Sequence, residues 1–224
     1  MPHQSNLEGS KIDTLTSRLG TLLASRRQSL EWDAAYQEIL LRLDREGFLS
    51  GIISVGAAFP DFVLPNADGR LVALADHLTR GPVVLSFFRG EWCPFCKLTL
   101  TALTEALPRI EAVGASLLAL TPETGGLPLS MKQRHGAAFE VLADVDFGVG
   151  LSAGVVFKIP KLYRARLVAS NVNFPQRHGN AAWCLPVPAT FIIAPDGTIA
   201  WRFVDADFSH RAEPDDIVAA IRRV

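Results

Sequence analysis

Cysteine is scarce in this sequence, and its scarcity excludes a fold held together by disulfides. Only three cysteines occur in 224 residues, too few for the framework of a small secreted domain. A chain of this length needs no such framework, because it can bury roughly 70% of the surface that its unfolded form exposes. The roles left for the cysteines are packing, metal binding and catalysis.

Net charge and long apolar runs are lacking as well. The 22 basic and 23 acidic residues leave a formal charge of −1, which gives no electrostatic reason to expect nucleic acid or a membrane surface as a partner. No apolar run approaches the roughly 18 residues of a membrane span, and the polar start, MPHQSNLEGSKID, has no apolar core of a secretory signal. We therefore expect a cytoplasmic protein without nucleic-acid or membrane partners, in which a working cysteine pair cycles rather than stays bridged.

Helical periodicity marks the first part of the chain. Apolar residues recur at intervals of three and four between residues 12 and 49, which predicts one or two amphipathic helices with a break near 25–29. We assign residues 1–54 to an N-terminal helical extension. Two roles stay open for it: packing on the rest of the chain, or acting as a dimerisation arm. We expect a homodimer, because the helices carry more apolar surface than a small domain needs to cover.

Residues 55–224 have the order of elements of a thioredoxin fold. The runs at 83–88 and 116–120 are continuously apolar, as strands buried on both faces should be, and a helix is predicted between them. One β-hairpin is predicted about the NADG tetrapeptide and another about PDG at 195–197, followed by a C-terminal helix, whereas residues 158–185 look irregular and basic. We predict an α/β fold with a mixed central sheet of four or five strands flanked by helices, plus an N-terminal β-hairpin.

The segment FFRGEWCPFCK at 87–97 carries the chemistry. It follows a predicted buried strand and opens a helix, so Cys93 falls at a helix N-terminus, where unpaired N–H groups and the dipole favour a thiolate. Cys96 lies about one turn further in and more buried, and Pro94 occupies the helix start, where its missing N–H costs nothing. An exposed activated sulfur backed by a shielded one predicts dithiol chemistry, in which Cys93 attacks and Cys96 resolves. Trp92 is expected to pack beside the thiol and shield it.

A Cys-x-x-Cys pair is also half of a zinc site. The remaining cysteine is Cys184, and His178 precedes it by six residues, which is not a usual ligand spacing. We therefore predict neither a metal ion nor another cofactor, with a zinc site or two merely buried cysteines as the alternatives.

A second element, LPVPATF at 185–191, precedes a predicted core strand. In a thioredoxin arrangement a cis-proline at this place faces the Cys-x-x-Cys pair, and only X–Pro bonds populate the cis form readily. We predict that Pro188 is cis and presents the backbone of Val187 to a bound partner. The alternative is a trans proline that enters an edge strand.

These motifs together resemble the peroxiredoxin-like branch of the alkyl hydroperoxide reductase/thiol-specific antioxidant (AhpC/TSA) family, on a thioredoxin fold. The resemblance runs from residue 55 to residue 224 and is carried by GAAFPDFVLPNADGR, VVLSFFRGEWCPFCKLTL, LADVD and LPVPATFIIAPDGTI. It implies that Cys93 is the peroxidatic cysteine of an antioxidant oxidoreductase. Hydroperoxides would be its substrates, and an external dithiol such as a thioredoxin-type protein its reductant.

The sequence also departs from the family pattern. Ordinary members place proline and threonine seven and three residues before the peroxidatic cysteine and use an arginine from a distant strand. Ser86 and Gly90 occupy the two loop positions here, and Pro188 stands where the arginine would be sought. Arg89 and Glu91 are the expected substitutes, because a guanidinium near the thiol would favour the thiolate and could hold a peroxide oxygen. The alternative is that Arg89 is a solvated loop charge.

Three functions compete at this point. The family resemblance favours a thiol-dependent peroxidase, in which Cys93 is oxidised to a sulfenic acid and Cys96 condenses with it. The WCPFC motif with Pro188 favours a thiol–disulfide oxidoreductase that acts on protein disulfides. The third is a non-enzymatic binding module that uses the N-terminal helices and the basic segment, with structural or metal-bound cysteines.

Overall fold

The computed structural model describes residues 14–27 and 29–224, so the predicted helical start at residue 12 lies outside the described residues. The strands are β1 (Val63–Pro65), β2 (Leu71–Ala73), β3 (Val83–Phe87), β4 (Ser116–Thr121), β5 (Glu140–Ala143), β6 (Val156–Lys158), β7 (Cys184–Pro186), β8 (Ala189–Ile193) and β9 (Ile199–Val204). The helices are α1 (Leu15–Arg26), α2 (Leu30–Arg45), α3 (Leu74–Leu78), α4 (Pro94–Ala112), α5 (Leu127–Arg134), α6 (Gly148–Ser152), α7 (Lys161–Ala169), α8 (Phe174–His178) and α9 (Pro214–Ile221). Short 3₁₀ turns lie at Phe48–Gly51 and Val145–Phe147.

Five strands form the central sheet in the order β5-β4-β3-β8-β9. The strands β3, β4 and β5 run parallel, whereas β8 pairs antiparallel with both β3 and β9. The two apolar runs of the sequence are thus direct neighbours, with Val83 opposite Ser116. The strands β1 and β2 form the separate hairpin about NADG. This mixed sheet confirms the predicted thioredoxin fold, with five core strands and the N-terminal β-hairpin.

The sheet is covered by helices on both faces. Alternate residues of β3 point to opposite sides, so Val83 and Leu85 join one apolar cluster and Val84 joins the other. The first cluster contains buried residues of α3 and α6, and the second contains those of α1, α2, α4, α7 and α9. Burial on both faces explains why β3 and β4 read as unbroken apolar runs. Within the described residues, no helix is long and apolar enough to cross a membrane.

The N-terminal helices pack on the rest of the chain. Thr14 caps α1, and the N–H groups of Leu15 and Thr16 donate to the Glu213 carboxylate at 3.2 and 2.5 Å. The helix α1 packs against α4, and α2 packs against α7. Of the two roles left open for this extension, packing on the main body is the one that the structure shows. The domain boundary at residue 54 and the homodimer stay predictions.

The segment 158–185 is more regular than the sequence indicates. It contains α7, α8 and the start of β7, which pairs antiparallel with β6, so the expectation of irregular structure is wrong. The helix α7 buries only Tyr163 and Leu167, and each strand of the β6–β7 pair has three residues. Elements this short carry too little periodicity to be recognised.

Candidate active site

The cysteine pair lies where the central strand β3 passes into α4. Cys93 is the N-cap residue of α4, Pro94 is its first residue, and Cys96 follows one turn later. Both cysteines are buried, with 1% of each residue exposed, so the prediction of an exposed first sulfur is wrong. The reason is cover from distant parts of the chain, since Cys93 belongs to the same apolar cluster as Phe208 and the buried faces of α1 and α2.

The two thiols differ sharply in acidity. Burial by itself raises the pKa of Cys93, but the hydrogen bond from the Cys96 thiol and the charges of Arg89 and Arg211 outweigh it and lower that pKa to about 5. Burial raises the pKa of Cys96 well above its usual value, and its hydrogen bond to Cys93 raises it further. The pair therefore holds one proton at neutral pH, with Cys93 as the thiolate and Cys96 as the thiol that donates to it.

Arg89 is a buried cation beside the sulfurs. Its exposed fraction is 1%, so the alternative of a solvated loop charge is wrong. Its guanidinium lies 3.8 Å from the Phe208 ring centroid and donates through Nη2 to the Tyr163 hydroxyl at 2.6 Å, while its backbone N–H donates to Cys96 Sγ at 3.3 Å. Its Nε and Nη1 have no hydrogen-bond partner among the described residues. Two donors of a buried guanidinium are thus left for a ligand.

A second arginine, Arg211, completes the positive field and was missed by sequence reasoning. It lies in the loop between β9 and α9, 115 residues after Cys96, and its Nη2 is 3.9 Å from the Cys96 sulfur. Its Nη1 donates to the carbonyl groups of Phe208 and His210, which fixes the side chain. The family resemblance implies a distant arginine at the place that Pro188 occupies. No local signal marks residue 211 instead.

Glu91 takes a different position from Arg89. Its carboxylate is 3.3 Å from His135, 3.5 Å from Lys97 and 3.7 Å from Arg134. It therefore ties α4 to the end of α5, and among the described residues it is not part of the cavity lining beside Cys93. Arg89, and not Glu91, is the substitute that lies beside the thiols.

Gly90 replaces the family's threonine for a steric reason. Its φ is +129°, and a Cβ atom there would lie 2.7 Å from the Glu123 side chain. The Glu123 carboxylate accepts hydrogen bonds from the Glu91 N–H at 2.7 Å and from Arg177 at 2.5 Å. This buried carboxylate holds the loop before the cysteine pair in place through the Glu91 N–H. A threonine side chain at position 90 would clash with it.

The prediction that Pro188 is cis is wrong. No peptide bond among the described residues is cis, so Pro188 is trans, the form that X–Pro bonds prefer by roughly 0.5–1 kcal/mol. The Val187 N–H already donates to the Val155 carbonyl at 2.8 Å, which leaves it unavailable to a bound partner. Val187 shares the apolar cluster of the two cysteines, and among the described residues neither it nor Pro188 lines the cavity.

A cavity of about 250 Å³ opens onto Cys93. Trp92 forms part of its wall, donates through Nε1 to the Arg89 carbonyl at 2.9 Å and packs against Phe174, as expected of a shielding residue. The helices α1, α2 and α7 and the loop before α9 supply most of the remaining wall. Its main apolar and aromatic contributors are Leu23, Trp32, Tyr36, Phe95, Tyr163 and Phe208.

Other metal-ligand candidates do not gather at this site. Among the described residues, no group of three His, Cys, Asp or Glu side chains is arranged to hold a metal ion. Cys184 lies in β7, where its thiol is 3.6 Å from the Ala182 carbonyl. His178 is buried with its ring stacked on Phe174. The zinc alternative therefore has no ligand set in the part of the chain that the structure describes.

The chain is similar in sequence to a known family and to curated proteins. The family model described as the AhpC/TSA family matches residues 55–202. Peroxiredoxin Q of rice (Oryza sativa subsp. japonica) is 27% identical over 100 residues, which is 45% of this chain and 46% of that protein. The thiol-disulfide oxidoreductase ResA of Geobacillus thermodenitrificans is 31% identical over 93 residues, 41% of this chain and 52% of that protein. The chain thus spans about half the length of these curated relatives.

Solved structures show the same fold. The crystal structure of peroxidoxin BcpB from Mycobacterium tuberculosis superposes with a TM-score of 0.60 at 19% sequence identity, over 77% of this chain and 98% of that one. Peroxiredoxin Q of Xanthomonas campestris gives a TM-score of 0.55 at 19% identity, over 77% and 97% of the two chains. In both cases the shared part leaves out about a quarter of this chain.

Proposed function

We propose that this chain, which belongs to the AhpC/TSA family, is a thiol-dependent peroxidase that reduces hydroperoxides through Cys93. One observation carries the proposal: the buried Cys93 lines a cavity, and a hydrogen bond from Cys96 together with the charges of Arg89 and Arg211 lowers its pKa to about 5. A low thiol pKa in a positive field is the property of a nucleophilic cysteine. The similarity to peroxiredoxin Q supports the same reaction.

The first step is nucleophilic attack by Cys93 on the hydroperoxide. The thiolate sulfur attacks the terminal oxygen, an S–O bond forms, and the O–O bond breaks. The alkoxide or hydroxide that leaves takes up a proton and departs as an alcohol or water. The sulfur is thereby oxidised to a sulfenic acid and the peroxide is reduced.

Arg89 is the residue proposed to hold the peroxide. Its Nε and Nη1 can donate to the peroxide oxygens, on which negative charge develops as the O–O bond breaks. Because the guanidinium is already buried and held by Tyr163, it needs no reorganisation during the step. Arg211 does not need to touch the peroxide, because its positive charge acts by lowering the pKa of Cys93.

The second step uses Cys96. Its thiol sulfur attacks the Cys93 sulfenic acid, an S–S bond forms, and the oxygen leaves as water. An external dithiol, such as a thioredoxin-type protein, then reduces the disulfide by thiol–disulfide exchange and is itself oxidised. No bound cofactor is needed, and a reducing compartment such as the cytoplasm would suit the cycle.

The thiol–disulfide oxidoreductase stays as a second candidate because of the similarity to ResA and the Cys-x-x-Cys motif. A protein disulfide must bring its sulfur into line with the attacking thiolate. Cys93 is 1% exposed beneath the N-terminal helices, which hinders such an approach. A hydroperoxide is small enough to enter the cavity that Cys93 lines.

The two candidates differ in a direct assay. Reduced protein is mixed with one equivalent of hydrogen peroxide while thiol loss is followed, and insulin reduction is measured in parallel. We expect rapid loss of two thiols and slow insulin reduction, with Cys184→Ser as the control that behaves like the native protein. Slow thiol loss combined with fast insulin reduction would favour the oxidoreductase instead.

A further inference from the structure

Seven of the sixteen residues that line the cavity beside Cys93 lie outside the family match. The match covers residues 55–202, whereas Leu23, Trp32 and Tyr36 come from α1 and α2 and Phe208 comes from the loop before α9. Trp32 packs edge-on against Tyr163 at 5.7 Å, and Tyr36 against Phe208 at 4.8 Å. The N-terminal extension is therefore part of the site.

The cavity is larger and less polar than hydrogen peroxide requires. A water molecule occupies roughly 30 Å³ in the liquid, so about 250 Å³ is several times the space of a two-oxygen substrate. Burying a hydrocarbon group against its aromatic and aliphatic wall would stabilise the bound complex by about 25 cal/mol per Å² of apolar surface removed from water. Both properties fit an organic group of about the size of a substituted benzene ring.

Positive charge lies at the same cavity. Arg26 and Arg27 both line it and are exposed. Asp33 also lines it and lies 3.6 Å from Arg27, so one of the two cationic charges is balanced by a neighbouring carboxylate. Among the described residues, no ion pair involves Arg26. This end of the cavity therefore has an excess of positive charge.

We infer that the substrate is an organic hydroperoxide that carries an apolar group and a carboxylate, an inference that rests on the proposed peroxidase function. The peroxide group lies between Cys93 and Arg89, the apolar group contacts Trp32 and Tyr36, and the carboxylate lies near Arg26. The peroxide step is the one given above, with the organic alkoxide leaving as the alcohol. Trp32 and Arg26 are thus specificity-determining residues rather than catalytic ones.

The test compares three peroxides on the same protein. These are hydrogen peroxide, cumene hydroperoxide and a cumene hydroperoxide that carries a ring carboxylate, each assayed for kcat/KM with excess external dithiol. We expect cumene hydroperoxide to exceed hydrogen peroxide by at least about tenfold, since a few apolar carbon atoms in a fitted pocket supply that much selectivity. The carboxylate should add about threefold, as expected of an exposed charge pair.

Variants assign these preferences to residues. Trp32→Ala should lower the ratio of cumene hydroperoxide to hydrogen peroxide by about tenfold, and Trp32→Phe should restore part of it. Arg26→Ala should remove the gain from the carboxylate, whereas Arg45→Ala, an exposed arginine at the other end of the N-terminal helix pair, should not. Because each ratio is measured on one variant, a loss of folded protein lowers both rates and leaves the ratio unchanged.

The outcomes separate this inference from the proposed function. A native preference for hydrogen peroxide, or a ratio that Trp32→Ala does not change, would overturn the substrate class while the peroxidase function stands. If the ring carboxylate still raises kcat/KM in Arg26→Ala, Arg26 is not the residue that binds the carboxylate. If no peroxide of the three oxidises Cys93, the proposed function itself fails.

Discussion

At the scale of single residues, the site depends on an asymmetry between the sulfurs of two cysteines three positions apart. Cys93 is at the helix terminus and accepts a hydrogen bond, whereas Cys96 is inside the helix and donates it. The helix terminus alone contributes about 0.3–1 kcal/mol at an exposed site. The larger lowering of the Cys93 pKa therefore needs the Cys96 hydrogen bond and the buried arginines.

Removing the charge of Arg89 should raise the pKa of Cys93. In Arg89→Gln, the pH at which the thiolate forms moves upward, so peroxide oxidation at pH 6 slows more than at pH 9. We also expect an overall loss of about 10²-fold, the usual cost of one missing oxyanion donor. The check is the rate of Cys93 oxidation and alkylation against pH. Arg109→Gln, at an exposed arginine, is the control. An unchanged pH midpoint would refute the role of Arg89.

His178 should make the fold sensitive to acid. Burial lowers its pKa from 6.5 to about 4, so the unfolded chain takes up a proton near pH 6.5 that the folded protein does not. Stability is therefore full above pH 6.5 and declines as pH falls towards 4, by up to roughly 3 kcal/mol.

The variant His178→Phe isolates that effect. Both ring nitrogens lack a hydrogen-bond partner among the described residues. Phenylalanine therefore removes no hydrogen bond, and its ring can still stack on Phe174. Urea unfolding at pH 7 and pH 4.5 should show a smaller acid loss for the variant than for the native protein. An equal loss of unfolding free energy in the two proteins between pH 7 and pH 4.5 would show that protonation of His178 does not cause it.

At the scale of elements, the N-terminal helices contribute to stability because one face of each is buried. Ile39 of α2 is 1% exposed and Leu41 is 69% exposed. Ile39→Ala should lower the free energy of unfolding by about 2–5 kcal/mol, whereas Leu41→Ala should change it by less than about 0.5 kcal/mol. Urea titration gives both values. Equal effects would mean that α2 is not docked on α7 in solution.

Most of the elements could be predicted from the sequence, because their signals are local. Unbroken apolar runs mark β3 and β4, the NADG turn marks the β1–β2 hairpin, and periodic leucines mark α1 and α2. The elements that escaped prediction include α3, α7, α8 and the β6–β7 pair, which are short. The structure of α7 and α8 is set by tertiary packing around Tyr163 and Phe174, which leaves no periodic trace.

At the scale of the whole molecule, the site was predictable only in part. Cys93, Cys96 and Arg89 are close in sequence, and the strand-to-helix turn brings them together. Arg211 and Phe208 reach the same place from more than a hundred residues away, and no local pattern marks them. The burial of Cys93 was missed for the same reason, since distant aromatic side chains provide the cover.

The association state is a prediction at this scale. Leu30 and Leu41 are 85% and 69% exposed, which leaves apolar surface on α2 after it has packed on the main body. We expect a homodimer through this arm, and Leu41→Glu should weaken it. Light scattering at high micromolar concentration measures the mass, and a monomer under those conditions would contradict the prediction.

The central claim is that Cys93 takes the peroxide oxygen and Cys96 resolves it. The most direct test treats the reduced protein and its Cys96→Ser variant with one equivalent of hydroperoxide and locates the products by mass spectrometry. The native protein should lose two hydrogen atoms and contain a Cys93–Cys96 disulfide, whereas Cys96→Ser should gain one oxygen atom on Cys93. Oxidation at Cys184 with Cys93 left as a free thiol would contradict the account.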